Sequence, residues 1–382
     1  MTFPEYFSNK KQGSKDQKKS RPLRALIHLA SFQKNIHKVQ SLVGSSEVIV
    51  VVKADAYGHG LVELASMSGD HDLAVAIPEE LYSLRDAGIE NRVWVLEGFF
   101  STDCIKLNRS VVWVIHSFWQ LELLKNAFQE GVLDDLEVCI KLDTGMKRLG
   151  FCHTQLDQVK EYISSMPKVK IYALMTHFAM SDQPDNIHVH SQIKKFDTAI
   201  MRSGMSDIKQ SMANSGAINF YPESHRHWVR PGIMLYGGSS SPGIKSTIVT
   251  DAVMSFQSAI IALHEVSKGE SVGYGGDWTA DNDALIATVA VGYADGYPRH
   301  APSGTPVAVI DNAGDIEIAY LVGRVSMDMI TIDVSGVKNA TIGDQIELWG
   351  KTICVDEIAE LSSTISYQLL SSVSKRVPRV YE

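Results

Sequence analysis

Between residues 48 and 237 eight short apolar runs recur with helical patterns between them, and no other feature of the chain restricts its fold as much. The runs are VIVVVK (48–53), LAVAI (73–77), RVWVLEG (92–98), VVWVIHS (111–117), LEVCIKLDTG (136–145) and VKIYALMTHFA (169–179), with two weaker members around SMANSGA (211–217) and WVRPGIMLYG (228–237). Val48 to Val52 is an unbroken run of β-branched residues, the composition of a strand buried on both faces. The intervening stretches place apolar residues at a period near 3.6. Leu121, Leu124 and Phe128 share a face, and so do Val189, Ile193, Phe196 and Ile200. Strand–helix alternation implies parallel pairing, because only a crossover returns the chain to the same end of a sheet. Eight such units predict a (β/α)8 barrel, with a doubly wound open sheet as the structural alternative.

After about residue 250 the pattern changes. Met254, Phe256, Ser258, Ile260 and Ala262 alternate with their neighbours, and five more strand-like runs follow, separated by Gly-, Asp- and Asn-rich turns. These predict a mostly antiparallel β domain, with one helical pattern near 356–370. The small-residue stretch Ser239-Ser240-Ser241-Pro242-Gly243 suits a linker. The expected organisation is a flexible basic tail at 1–21, a barrel at 22–245 and a β domain at 246–382.

Bulk properties exclude several classes. A formal net charge of -8 argues against non-specific nucleic-acid binding, and no apolar run is long enough to predict a membrane span. The stretch MTFPEYFSNKKQGSKDQKKSR is basic and polar, unlike a secretory leader, so a cytoplasmic location is expected. The four cysteines, Cys104, Cys139, Cys152 and Cys354, form no CxxC pair and no disulfide framework. His188/His190 and His225/His227 lack companions at ligand spacing, so no metal centre is expected.

In a barrel the working face lies at the carboxyl ends of the strands. Lys53 ends the first run, Asp143–Arg148 follow the fifth, Thr176 and His177 end the sixth, and Asn214-Ser215-Gly216 and Arg230-Pro231-Gly232-Ile233 end the last two. A lysine there is ordinarily a stem covering apolar atoms with its head in water. Its other use is a desolvated amine with a lowered pKa, able to hold an aldehyde as a Schiff base. Pyridoxal phosphate is such an aldehyde. Asn214, Ser215, Gly232 and Ile233 offer hydroxyl and backbone donors for its phosphate, although each glycine equally suits a plain turn.

The motifs VVVKADAYGHG (50–60), KLDTGMKRLG (141–150), THFA (176–179), ANS (213–215), RPGIMLYG (230–237), GYADGYPR (292–299) and GRVSMDM (323–329) occur in this order. The series resembles that of the alanine racemases, from about residue 21 to the end. The resemblance implies a fold-type III enzyme dependent on pyridoxal 5'-phosphate, a homodimer with active sites shared between subunits, and D-alanine supply for peptidoglycan. It implies racemisation of L- and D-alanine by two bases on a pyridoxal-phosphate aldimine. Lys53 serves one face, and Tyr274 in SVGYGGDW (271–278), from the second subunit, serves the other.

By the same resemblance His177 and Arg230 form a hydrogen-bonded line to Tyr274 that lowers its pKa, and Arg230 faces the pyridine nitrogen. Tyr57 contacts the phosphate. Arg148 meets the cofactor's phenolic oxygen and the substrate carboxylate, and Lys141 matches a lysine carbamylated in some relatives. Met327 and Asp328 shape the substrate pocket, and Tyr293 narrows its entrance. Lys375 stands before the terminal RVPR where some relatives carry tyrosine, and it is left outside the site. Three other readings remain at this point: a racemase of another small amino acid such as serine, a non-catalytic pyridoxal-phosphate-binding protein, and, more distantly, a basic amino acid decarboxylase, whose usual CxSxD context is missing around Cys354.

Overall fold

A computed structural model describes residues 21–107, 109–131 and 135–382; residues 1–20 of the expected basic tail lie outside the described residues. Two compact units form, Phe32–Thr250 and Asp251–Glu382 together with the segment up to Ser31.

In the first unit eight parallel strands close into the expected barrel. They are Glu47–Val51, Asp72–Val75, Val93–Val95, Val111–Ile115, Leu136–Asp143, Val169–Met175, Lys209–Asn214 and Trp228–Arg230. Each pairs with the next, and the last pairs back to the first with Val229 opposite Val48. The apolar runs are continuous because both faces of these strands are covered. All five residues of Val111–Ile115 are buried, and Trp94 and Trp113 are fully buried. The helix Ile187–Arg202 starts at Asn186, whose side chain accepts from the His188 N–H, and it buries Val189, Ile193, Phe196, Ala199 and Ile200. Burying side chains of this size contributes about 1.5–3 kcal/mol each, which is what seats the helix on the barrel. Gln192 lies on the same buried face.

In the second unit an antiparallel sheet closes on itself, since Ala284–Val289 pairs with both Met254–Val266 and Ile330–Asp333. Arg24–Ile27, which sequence reasoning placed within the barrel stretch 22–245, belongs to this sheet. It runs antiparallel to Met254–Gln257 and parallel to Arg379–Tyr381. Arg24 donates to the Gln257 carboxamide, and His28 contacts Ser255 and Glu382. The single helical pattern near 356–370 is two short helices, Val355–Leu361 and Ser366–Ser372, broken where Ser363 takes a φ of 54°. Among the described residues no helix is long and apolar enough to cross a membrane, and no three His, Cys, Asp or Glu side chains gather as metal ligands.

Candidate active site

The first barrel strand leads directly into a left-handed turn. Ala54, Asp55, Ala56 and Tyr57 have φ of 55°, 55°, 50° and 53°. Each costs about 1–2 kcal/mol relative to a right-handed conformation, so side chains must hold the turn. The Ala54 N–H donates to Glu80 Oε1 at 2.6 Å, and the Leu61 N–H donates to Asp55 Oδ1 at 2.8 Å. His59 Nδ1 donates to the Tyr57 carbonyl at 2.9 Å. The turn leaves Lys53 half-buried at its start and folds the Tyr57 ring inward, stacked on Tyr236 at 4.5 Å. No sequence signal marks this conformation, because Ala, Asp and Tyr carry no strong left-handed preference in series.

Tyr57 points its hydroxyl at Gly232, where an added Cβ would lie 2.3 Å from the phenolic oxygen. The Gly232 N–H donates to Ser215 Oγ at 2.9 Å. Two hydroxyls and a main-chain segment thus converge where a side chain has no room. Ile233, with its side chain fully buried, presents only backbone there, at the start of the turn Ile233–Tyr236. Asn214 uses its side-chain oxygen within the chain. Its Oδ1 accepts from the Ala217 N–H at 3.1 Å and from Ser181 Oγ at 2.7 Å, so it caps the helix Ser215–Phe220. Ser181 was missed in the sequence, having no motif of its own.

Arg230 is buried on the last strand. It donates to Ser211 Oγ at 2.6 Å, to the Thr176 carbonyl at 2.7 Å and to the Met212 carbonyl at 3.2 Å, and it faces His177 Nδ1 at 3.3 Å. A guanidinium only donates, so Nδ1 accepts and the imidazole proton sits on Nε2. Burial, reinforced by Arg230, Lys141, Arg148 and Lys53, holds His177 well below its ordinary pKa. The ring is neutral at pH 7. Burial pushes Arg230 down to about 10, and it remains charged.

The Lys53 amine is lowered first by burial and then by Arg148, against Glu80 and Glu97, which raise it. Lys141 is buried and pushed down to about 8, again by burial first, then by Arg230 and Arg148. Arg148 is exposed at the end of a loop whose Gly145 and Lys147 amides donate to Asp143 Oδ1 at 3.0 and 3.1 Å. Four basic side chains thus act on one another here, and Glu80 is already bonded to the Ala54 and Ala76 amides. The positive potential of these groups favours anions at this mouth.

A stability test follows from Lys141. Its folded pKa of about 8 lies below the ordinary 10.5, so between those values the unfolded chain binds more protons and stability rises with pH. In carbonate-free buffer, Lys141→Met is expected to stabilise the protein by roughly 3 kcal/mol below pH 8, the gain shrinking as pH climbs toward 10.5. Denaturant melts across that range measure it. A gain independent of pH would mean the amine is solvated.

Tyr274, Tyr293, Met327 and Asp328 lie on the second unit. Tyr274 is 71% exposed on a turn between the paired segments Ser271–Val272 and Trp278–Thr279. Arg324 is bidentate to Asp277 just beyond it, with Nη2 3.0 Å from Oδ1. The Tyr293 N–H donates to the Ser326 carbonyl, and the Ala294 N–H donates to Met327 O at 3.0 Å, which sets GYADGYPR against GRVSMDM. Asp328 spends its carboxylate on Arg376 at 2.5 Å. Arg376 also donates to the fully buried Asp295 at 2.6 Å, and Arg21 reaches the same carboxylate at 2.9 Å. Sequence reasoning missed Asp295, Arg376 and Arg21. A carboxylate inside an apolar motif such as GYADGYPR was the available signal.

The model of the alanine racemase N-terminal domain matches residues 27–240, and that of the C-terminal domain matches 253–381. The chain belongs to the alanine racemase family. The alanine racemase of Hahella chejuensis is 41% identical over 371 residues, which span 94% of this chain and 98% of that protein. The alanine racemase of Pseudomonas fluorescens is 41% identical over 368 residues, 94% of this chain and 99% of its own. Among solved structures, the biosynthetic alanine racemase of Pseudomonas aeruginosa superposes with a TM-score of 0.86 at 38% identity, covering 95% of this chain and 100% of that one. The alanine racemase of Acinetobacter baumannii gives 0.86 at 35% identity with the same coverage.

Proposed function

We propose that the protein interconverts L- and D-alanine, using pyridoxal 5'-phosphate held at the barrel mouth. The observation that carries this reading is the half-buried amine of Lys53, with its lowered pKa, opening the same turn that delivers Tyr57 to the Ser215–Gly232 cradle. The residues present fit the cofactor. Tyr57, Ser215 and the Gly232–Ile233 backbone would take its phosphate, Lys53 its aldehyde, Arg148 its phenolic oxygen and Arg230 its ring nitrogen. When bound, pyridoxal phosphate supplies the electron sink that makes an amino acid's α-proton removable.

The chain's own groups then move the proton. A neutral amine at Lys53 accepts a proton from one face of Cα and, once charged, returns one in the reverse direction. The Tyr274 phenol, from a second subunit, serves the other face. Its exposure, and that of Met327 at 54%, leaves both open to another surface. An ordinary tyrosine pKa near 10 is too high for a base. His177, with its proton on Nε2 and Arg230 behind Nδ1, is a donor suited to stabilise the phenolate. Arg230, always a donor, would face the ring nitrogen without giving up a proton to it.

Tyr293 and Met327 would narrow the pocket toward a methyl side chain, and Asp328, through Arg376, would hold that loop. Lys141, an amine with a pKa of about 8 influenced by Arg148, is suited to carbamylation, and the added carboxylate would restrain that arginine. The physiological role we assign is cytoplasmic D-alanine supply for peptidoglycan.

The test is deuterium incorporation at Cα of L- and D-alanine by the cofactor-loaded protein in deuterated water. Both enantiomers are expected to exchange and interconvert. Serine exchanging faster than alanine, or neither amino acid exchanging, would overturn the reading.

The cradle has its own test. Gly232→Ala places a methyl group against the Tyr57 hydroxyl, and cofactor affinity is expected to fall about 10–100-fold as that donor is displaced. A fluorescence titration with pyridoxal phosphate measures this. Unchanged affinity would remove Tyr57 and Gly232 from the phosphate site.

A further inference from the structure

We propose that Gln192 is the positioning residue for the proton-transfer line at His177, its side-chain amide tying the loop that carries His177 to the loop that carries Arg148. The inference rests on the role given to His177 above.

Gln192 is 3% exposed on the barrel-facing side of the helix Ile187–Arg202. A buried carboxamide needs partners, and this one has three. Nε2 donates to the His177 carbonyl at 3.0 Å and to Thr144 Oγ1 at 3.1 Å, while Oε1 accepts from the Ala179 N–H at 3.1 Å. Flipping the amide would set oxygen against the His177 carbonyl and NH₂ against the Ala179 N–H, so the orientation is determined. The contacts continue as one directed chain. Thr176 Oγ1 donates to the Leu142 carbonyl at 2.9 Å, so it accepts from Thr144 Oγ1 at 2.8 Å, which in turn accepts from Gln192. Gly145 makes the approach feasible, because a Cβ there would lie 3.2 Å from Gln192 Cγ.

The backbone at 176–179 is therefore held from two sides. Arg230 grips the Thr176 carbonyl from inside the barrel, and Gln192 grips His177 and Ala179 from the helix layer. The His177 Nδ1 contact to Arg230 is already 3.3 Å, so a small shift of this turn would break it. Nothing local in the sequence links position 192 to 144 or 177.

Gln192→Met keeps length and apolar volume but removes all three bonds, and Gln192→Glu keeps shape but removes the donors. The first readout is the ¹⁵N spectrum of the His177 imidazole in the protein without cofactor. Wild type is expected to show the Nε2–H tautomer alone, whereas Gln192→Met shows mixed tautomers and a titration raised toward the ordinary value. The second readout is kinetic: kcat falls about 100-fold with the alanine KM changed by less than about threefold. A purely structural role would lower Tm without moving the His177 titration, and that result, or wild-type spectra and kcat in Gln192→Met, overturns the proposal.

If neither variant folds, amide exchange in the wild-type protein decides. A protected Ala179 N–H supports the tie, and exchange at the rate of an open loop refutes it. Should wild type itself fail to exchange the Cα proton of alanine, the functional reading falls, while the imidazole spectra still report on what Gln192 holds.

Discussion

Lys53→Ala is expected to lower Cα proton exchange on both alanine enantiomers by at least about 10⁴-fold, because one substitution would remove both the proposed anchor for the cofactor's aldehyde and a proposed proton-transfer group. The same change should not weaken the unloaded fold. The amine's lowered pKa means that burial opposes its charge, so removing it at neutral pH relieves a desolvation cost. Activity and stability are thus expected to move in opposite directions, which separates a chemical role from a packing role. Added methylamine gives a further check, since a free amine can replace the missing one in the Cα–H step but cannot be tethered to the strand. Exchange within tenfold of wild type, with a normal melting curve, would end the assignment of Lys53.

Tyr274→Phe should leave Tm unchanged, because the side chain is exposed and the turn is set by glycines and by the Arg324–Asp277 pair. Turnover should fall about 10²–10⁴-fold, the range expected for one general acid–base. Mixing this variant with Lys53→Ala tests the shared site directly. If each site takes its lysine from one subunit and its tyrosine from the other, half the chains pair as mixed dimers, and each of these has one intact site. Random re-association should then restore about a quarter of wild-type activity from two inactive proteins. No recovery, with mixed dimers shown to form, would contradict the second subunit's contribution.

The barrel was legible because its signal is local. A strand covered on both faces must be apolar along its length, and a covering helix must repeat every 3.6 residues, so neighbours in the chain report the layer they occupy. The polar residues of the mouth followed from the same logic, since Lys53, His177, Asn214 and Arg230 each stand at or just past the end of an apolar run. Their motif series then named a chemistry that no single residue could.

Groups whose partners lie far along the chain left no such trace. Arg24–Ile27 reads as a short apolar stretch beside the barrel, yet its register opposite Met254–Gln257 depends on residues more than two hundred positions away. Asp295 becomes a paired buried carboxylate only when Arg21 and Arg376 arrive. Two features of the site are of the same kind. The left-handed turn at 54–57 exists because Glu80 receives the Ala54 amide, and the His177 tautomer exists because Arg230 can only donate.

The sequence by itself determined the strand–helix alternation, the end of the barrel that carries chemistry and the residue types placed there. Periodicity and strand polarity are properties of consecutive residues. Only the tertiary structure decided which of those groups face one another, which amines lose their water and which amide locks the loops together. Burial and hydrogen-bond geometry depend on contacts that the order of residues does not display.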